Sequence, residues 1–127
     1  MPRPDWIDNP SIPSDAALWR GVIPSQLTFD TEGHEIPQSG VFRNKEMSVN
    51  IAAETTIADM MRKAPAVGWR LWEFTAGVAR AAGCIVDRDP LEDDPGHSVV
   101  LSLEDPGERA LTPRQAYEIR GHGHWAT

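Results

Sequence analysis

Large apolar side chains recur at short spacing in Trp69-Arg70-Leu71-Trp72-Glu73-Phe74, a stretch near the middle of the chain. Thr75 follows as a typical N-cap for a helix over 76–82, because its hydroxyl can accept a hydrogen bond from a free amide of the first turn. Gly83 suits the left-handed conformation that ends a helix. The stretch therefore predicts a buried segment that leads directly into a short helix.

Trp69 and Trp72 give this buried segment two interpretations. On a helix, residues three apart share a face, whereas on a strand they point to opposite faces. A strand would require that something other than the main core covers one of the two indoles, such as the N-terminal arm or a partner. Core packing is the expected role of both side chains, because tryptophan buries a large apolar area.

The next segment predicts two strands joined by an acidic loop. Cys84-Ile85-Val86 has the composition of a short buried strand, and residues 97–103 alternate as a strand does. We expect Val99 and Leu101 to share one face of the second strand. The two strands are expected to pair, with 87–96 as the loop between them.

The first fourteen residues contain four prolines, which remove amide donors and favour extended backbone. We interpret 1–14 as a proline-rich N-terminal arm, held by packing of Trp6 and Ile7, and 15–127 as a single domain. The other predicted elements are a helix at 15–20, strands at 26–30, 41–43 and 47–51, a helix at 57–63 after Thr55 or Thr56, and a helix at 113–120 after Thr112. Short strands interleaved with three or four short helices predict a single compact α+β domain.

The composition allows one core without a metal or a disulfide, since 40% of the 127 residues are apolar. Cys84 is the only cysteine, which excludes an internal disulfide and suits a reducing compartment. The N-terminal residues lack the apolar core of a signal peptide, and no apolar run approaches the length of a membrane span. We therefore expect a cytoplasmic protein without membrane association.

The net charge of −7 resides in one window of the chain. Residues 87–108 contain eight acidic residues and one base, Arg88, while the rest of the chain is neutral. Phosphate contacts require clustered Lys and Arg, so this window does not predict a nucleic-acid surface. It favours a protein partner with a basic surface, with a plain solvated loop as the alternative. The acidic residues expected to bind that partner are Asp87, Asp89, Glu92, Asp93 and Asp94.

Metal and nucleophile signals are weak. His122 and His124 could project two imidazoles to one side of an extended segment, but zinc needs three or four protein ligands. The favoured interpretation is a C-terminal tail with adventitious affinity for nickel or copper. An EF-hand calcium loop fails, because Glu92 and Ser98 stand where a glycine and a glutamate are required. Cys84 has apolar neighbours and predicts a buried, unreactive thiol, so we expect neither metal nor cofactor.

Three short motifs in a fixed order give the chain a family resemblance. They are Leu18-Trp19-Arg20, Ser39-Gly40-Val41-Phe42 leading to Met47-Ser48-Val49, and Pro95-Gly96-His97-Ser98-Val99-Val100. With the terminal helix followed by tryptophan, they resemble a loose group of small bacterial proteins whose third motif usually reads Pro-x-His-Ala-x-Val. Ser98 replaces the alanine here. The group carries no established activity, so the resemblance implies an intact bacterial domain and no particular chemistry.

Two hypotheses of function follow. The leading one is a non-enzymatic accessory domain that binds another protein, as an adaptor or an inhibitor, on the basis of the acidic window and the surplus of tryptophan. The alternative is a small enzyme that uses His97 with Arg20 or Arg43, with Ser48 as a further candidate. An early arginine, a serine and a histidine are also parts of the ADP-ribosyl transferases, although no glutamate can be given the catalytic role. The oligomeric state stays open.

Overall fold

The computed structural model describes residues 6–104 and 109–127. These residues form eight strands: β1 Ala17–Val22, β2 Leu27–Phe29, β3 Glu35–Pro37, β4 Met47–Ile51, β5 Arg70–Thr75, β6 Cys84–Arg88, β7 His97–Ser102 and β8 His124–Trp125. They also form three α-helices: α1 Ile57–Arg62, α2 Ala76–Ala81 and α3 Pro113–Gly121. Short 3₁₀ turns occupy Pro24–Gln26, Ser39–Phe42 and Ala52–Glu54.

Six strands form one antiparallel sheet in the order β6-β7-β4-β1-β5-β8, and β2 pairs with β3 in a separate hairpin. Helices α2 and α3 pack on one face of the large sheet together with Ile12 of the arm, and α1 and Trp6 of the arm pack on the other. The predicted single α+β domain is confirmed. Across residues 6–104 and 109–127, no helix has the length and apolar character that a bilayer span requires.

Residues 70–74 belong to β5, so the buried segment that begins after Trp69 is a strand and not a helix. It lies between β1 and β8, and Leu71 and Trp72 are both buried because each faces one side of a sheet that is covered on both sides. Thr75 caps α2 as predicted, since its Oγ1 accepts a hydrogen bond from the amide of Val78 at 3.2 Å. Gly83 has a φ of +96°, the left-handed conformation expected after the helix.

The main core lies between the sheet and helices α2 and α3. Phe42 and Phe74 meet edge to face there, with ring centroids 6.3 Å apart. A capping box begins α3: Oγ1 of Thr112 accepts from the amide of Gln115, and the Gln115 side chain accepts from the amide of Thr112. The predicted cap and start of this helix are confirmed.

The opposite face of the sheet carries two smaller clusters. One joins Trp6 of the arm to Val99 and Leu101, which share a face of β7 as predicted. The pairing of β7 with β6 is also confirmed. The other cluster packs Trp69 beside Met60 of α1. Trp69 therefore packs against a cluster that includes α1, and neither the arm nor a partner is needed to cover it, whereas Trp72 lies in the main core.

The N-terminal arm, which is described from Trp6 onward, is fastened by polar groups as well as by the apolar packing of Trp6 and Ile12. Trp6 is buried as predicted, but Ile7 is 55% exposed, so the expectation that its side chain packs is wrong. The carboxylate of Asp87 accepts hydrogen bonds from the amide of Ile7 and from Nδ2 of Asn9, both at 3.0 Å. The amide of Asn9 also donates to the carbonyl of Val86 at 2.9 Å, which occupies part of the free edge of β6.

The predicted helix at 15–20 is wrong, because this segment is strand β1. Its backbone pairs with β4 on one side and β5 on the other, and Leu18 and Trp19 are buried on opposite faces. Pairing with distant strands satisfies more of its backbone groups than one isolated helical turn would. The strands predicted at 26–30 and 47–51 and the helix after Thr56 are confirmed as β2, β4 and α1.

Two further boundaries differ from prediction. The strand predicted at 41–43 is wrong, since these residues belong mostly to the turn Ser39–Phe42, which buries Val41 and Phe42 in the main core next to α3. Strand β6 continues to Arg88, so the acidic loop begins at residue 89 and not at 87. Both differences arise because tertiary packing, rather than local sequence, decides where these segments end.

Candidate functional site

Arg20 and Ser48 are the two enzymatic candidates that the structure brings together. Nη1 of Arg20 donates to the carbonyl of Ser48 at 2.9 Å, and Nε donates to the carbonyl of Val41 at 3.0 Å. Both candidates line a cavity of about 340 Å³. Burial lowers the pKa of Arg20. The two backbone contacts brace β1 against β4, which share only two paired positions.

His97 and Arg43 do not line that cavity. Nε of Arg43 donates to the carbonyl of Leu111 at 3.3 Å, close to the start of α3. Nδ1 of His97 lies 2.9 Å from the carbonyl oxygen of Asp89 and 3.4 Å from its carboxylate. The four enzymatic candidates therefore do not converge on one site.

A row of polar cross-strand partners crosses five strands on the face that α1 partly covers. The row is His97, Asn50, Trp19, Glu73 and His124, one residue each from β7, β4, β1, β5 and β8. Nε1 of Trp19 donates to Glu73 at 2.9 Å, and Nε2 of His124 lies 3.0 Å from the other Glu73 oxygen. Nδ2 of Asn50 donates to Asp94 at 2.7 Å. These contacts tie the strands to one another and to the acidic loop.

The two C-terminal histidines face different carboxylates. Nε2 of His122 lies 3.5 Å from Glu118, whereas His124 contacts Glu73. Among residues 6–104 and 109–127, no group of three or more His, Cys, Asp or Glu side chains could hold a metal ion. The interpretation of this segment as a tail is wrong at His124, which pairs with Glu73 in β8, whereas its affinity for nickel or copper stays a prediction. Gly123 is needed between the two histidines, since a Cβ there would stand 2.1 Å from Nε1 of Trp72.

Cys84 is buried at the start of β6. Burial, with a smaller contribution from the negative charge of Glu104, raises the pKa of its thiol to about 12. A thiol with this pKa is almost wholly protonated at neutral pH, and the protonated form is a poor nucleophile. The placement is that of the core thiol expected from the sequence.

The acidic window divides into carboxylates that the fold uses and carboxylates that face solvent. Asp87 is only 6% exposed and also accepts a hydrogen bond from the amide of Arg88 at 2.8 Å, so its predicted place in an exposed loop is wrong. Asp89 contacts His97, and Asp94 accepts from Asn50. Glu92 and Asp93 are exposed at the tip of the loop. Asp105 and Glu108, which contribute to the charge of the window, lie outside the described residues.

The structure also forms a concave surface that the sequence did not reveal, which we call the aromatic cleft. Its volume is about 490 Å³. The cleft lies between the β2–β3 hairpin, the C-terminal end of α3 and strand β8. Its lining comprises Asp30, His34, Glu35, Ile36, Trp72, Tyr117, Arg120, Gly121, Gly123, His124 and Trp125.

Trp72 and Trp125 are cross-strand partners that form the base of the aromatic cleft. Their rings meet edge to face, with centroids 4.8 Å apart and planes at 87°. Nε1 of Trp125 donates to the carbonyl of Glu35 at 2.9 Å, which fixes the hairpin against β8. The guanidinium of Arg70 lies 3.8 Å from the Trp125 ring and 3.2 Å from the Glu35 carboxylate. Contacts with Trp72, with the Glu35 carbonyl and with Arg70 thus fix the position of Trp125 in the base of the cleft.

Tyr117 and Arg120 form the helical wall of the aromatic cleft. Tyr117 is 54% exposed, and the Arg120 guanidinium lies 4.9 Å from its ring. Nη1 of Arg120 donates to the carbonyl of Pro37 at 3.3 Å, which joins α3 to the hairpin. Concentrated Trp, Tyr and Arg in a concave, mostly apolar surface is typical of binding sites. The surplus of tryptophan was the only sequence signal that pointed toward it.

Comparisons of the chain with protein-family models, with curated proteins and with solved structures return no match. The fold and the site geometry therefore carry the functional argument, and the resemblance to the loose group of small bacterial proteins stays a prediction from short motifs.

Proposed function

We propose that this chain is a non-enzymatic accessory domain of a bacterial cell that binds a partner protein with a basic surface, as an adaptor or an inhibitor. The observation that carries the proposal is the exposure of Glu92 and Asp93 at the tip of the 89–96 loop. The neighbouring carboxylates of Asp87 and Asp94 are engaged by the fold, so these two are the ones available to a partner. We place the domain in the cytoplasm, where a reduced cysteine such as Cys84 is the normal state.

Exposed charges of this kind act chiefly on the rate of association. Complementary potentials steer two proteins toward the correct encounter, and the effect falls as salt screens the charges. At 0.1 M ionic strength the screening length is about 10 Å, so steering by the loop tip should be strong only in dilute salt. The signature of the proposed role is therefore an association rate that depends on both loop charge and salt.

The test replaces Glu92→Gln and Asp93→Asn together and leaves Asp94 intact, because Asp94 accepts a structural hydrogen bond from Asn50. The association rate is measured against the protein that co-purifies with the tagged chain. The rate should fall at low salt, and its salt dependence should flatten. The matched control neutralises two exposed carboxylates elsewhere, Asp15→Asn and Glu46→Gln, and should keep the wild-type rate. An unchanged rate in the loop variant would contradict the proposal and would show that the loop is only a solvated connection between strands.

The enzymatic alternative has one observation in its favour. Arg20 and Ser48 line the same cavity, together with Asn50 and Lys63, and a cavity of about 340 Å³ is large enough for a small substrate. Support for it is weaker, because His97 lies outside that lining. Incubation with a nicotinamide dinucleotide should release nicotinamide if the chain is an ADP-ribosyl transferase, and Arg20→Lys should abolish the release.

A further inference from the structure

The aromatic cleft has the volume and the aromatic lining that are typical of a small-molecule site. Ligand cavities generally measure about 300–1,000 Å³, and they combine apolar or aromatic walls with a few placed polar groups. At about 490 Å³, with Trp72, Trp125 and Tyr117 in its lining, the aromatic cleft meets both conditions. Its remaining polar groups decide which ligand it suits.

The hairpin wall of the cleft presents a carboxylate, that of Asp30, which lies in the lining of the cleft. Asp30 accepts hydrogen bonds from the amides of Glu32 and His34, both at 2.9 Å. The amide of His34 contributes most to lowering the pKa of the Asp30 carboxyl, so this group stays ionised at neutral pH. The nearest charged or titratable contact is Nδ1 of His34 at 3.4 Å, and no Lys or Arg among the described residues pairs with it.

The helical wall presents the opposite charge. Arg120 donates one hydrogen bond to the carbonyl of Pro37 and lies beside the Tyr117 ring. In the part of the chain that the structure describes, Arg120 forms no ion pair with a carboxylate. Its guanidinium has five N–H donors, of which the Pro37 contact uses one. Donors and positive charge therefore remain for a ligand.

The two walls present opposite charges to one cleft, since Asp30 and Arg120 both belong to its lining. A ligand that carries both a cation and an anion can therefore contact both walls. The ammonium and carboxylate of an α-amino acid are roughly 2.5–3.5 Å apart, and a further residue adds up to about 3.5 Å.

We propose that the aromatic cleft binds a small zwitterion with an apolar side chain, either a free α-amino acid or a dipeptide. The ammonium group lies toward Asp30, the carboxylate toward Arg120, and the side chain on the base formed by Trp72 and Trp125. This site is separate from the acidic loop, so binding here does not depend on the proposed association through Glu92 and Asp93.

The test begins with a thermal-shift screen of the full chain against the twenty free amino acids and their glycyl dipeptides. The best compound of each class is then titrated while tryptophan fluorescence is followed, with its N-acetyl and carboxamide forms beside it. Blocking either charge should weaken binding roughly tenfold or more, the usual effect of losing a hydrogen bond to a charged group. The comparison of the two classes distinguishes an amino acid from a dipeptide.

Two variants test which wall of the cleft contacts the ammonium group of the ligand and which contacts its carboxylate. In Asp30→Asn, which keeps an oxygen acceptor for the hairpin amides, N-acetylation of the ligand should no longer matter. In Arg120→Gln, carboxamide formation should no longer matter. Arg120→Lys, which keeps the charge, should retain part of the affinity, and melting curves check that each variant folds. The inference is overturned if no compound in the screen binds saturably, or if the blocked forms bind the wild-type chain as tightly as the free zwitterion.

Discussion

Replacing Asp87 by alanine should destabilise the protein far more than removing any exposed acid of the same window. The Asp87 carboxylate accepts hydrogen bonds from the amide of Ile7 and from Nδ2 of Asn9, and these two contacts fasten the arm to β6. A hydrogen bond to a charged group contributes about 1.5–3 kcal/mol. Water can reach part of the released groups, so we expect a loss of about 3 kcal/mol in the free energy of unfolding.

Urea denaturation measures this loss directly. With a slope of about 1.5 kcal/mol per molar urea, the midpoint should fall by about 2 M. Glu92→Ala removes an exposed carboxylate five residues away and should change stability by no more than about 0.5 kcal/mol. Limited proteolysis should also cut the arm of the Asp87 variant first, because Trp6 would no longer be held against Val99 and Leu101. A loss below about 1 kcal/mol would refute the idea that this carboxylate fastens the arm.

Val99→Asp should prevent cooperative folding, because it would bury an unpaired carboxylate at a position that is 2% exposed. A cooperative urea transition in this variant would contradict the placement of β7. Cys84 should react slowly with a thiol reagent in the native protein and quickly once unfolded, so rapid native labelling would contradict its burial. The two hydrogen bonds from Arg88 lower the pKa of Glu54, so their contribution to stability is present above the unfolded pKa and lost as pH falls through the folded value. Glu54→Gln should therefore be less stable than wild type at pH 7, and the difference should shrink below about pH 4, whereas a pH-independent difference would exclude this linkage.

The features that the sequence predicted best are those that depend on neighbouring residues. Thr56, Thr75 and Thr112 each cap the helix that follows, because a cap needs only its own hydroxyl and an amide two or three residues later. The alternating face of β7 was predictable for the same reason. A helix was wrongly predicted for β1, since its partners β4 and β5 lie about 30 and 50 residues further along the chain.

The site was harder to predict than the fold. A count of charges located the acidic window but could not show that Asp87 is buried beneath the arm. The aromatic cleft joins Asp30 of the hairpin to Arg120 of α3, about 90 residues apart, and no local pattern links such positions. Trp125 gave the nearest signal, although only its pairing with Trp72 made it part of a concave surface.

The strand order has a consequence for the newly made chain. β1 lies between β4 and β5, and both of these are synthesised after it. β4 arrives first, but it offers β1 only two paired positions, and the longer partner β5 begins about 50 residues behind the end of β1. At about 5–20 residues per second, a ribosome needs roughly 3–10 s to supply those residues. Throughout that interval Leu18 and Trp19 lack their β5 partners Phe74 and Glu73, so this side of β1 stays unpaired until β5 has been made.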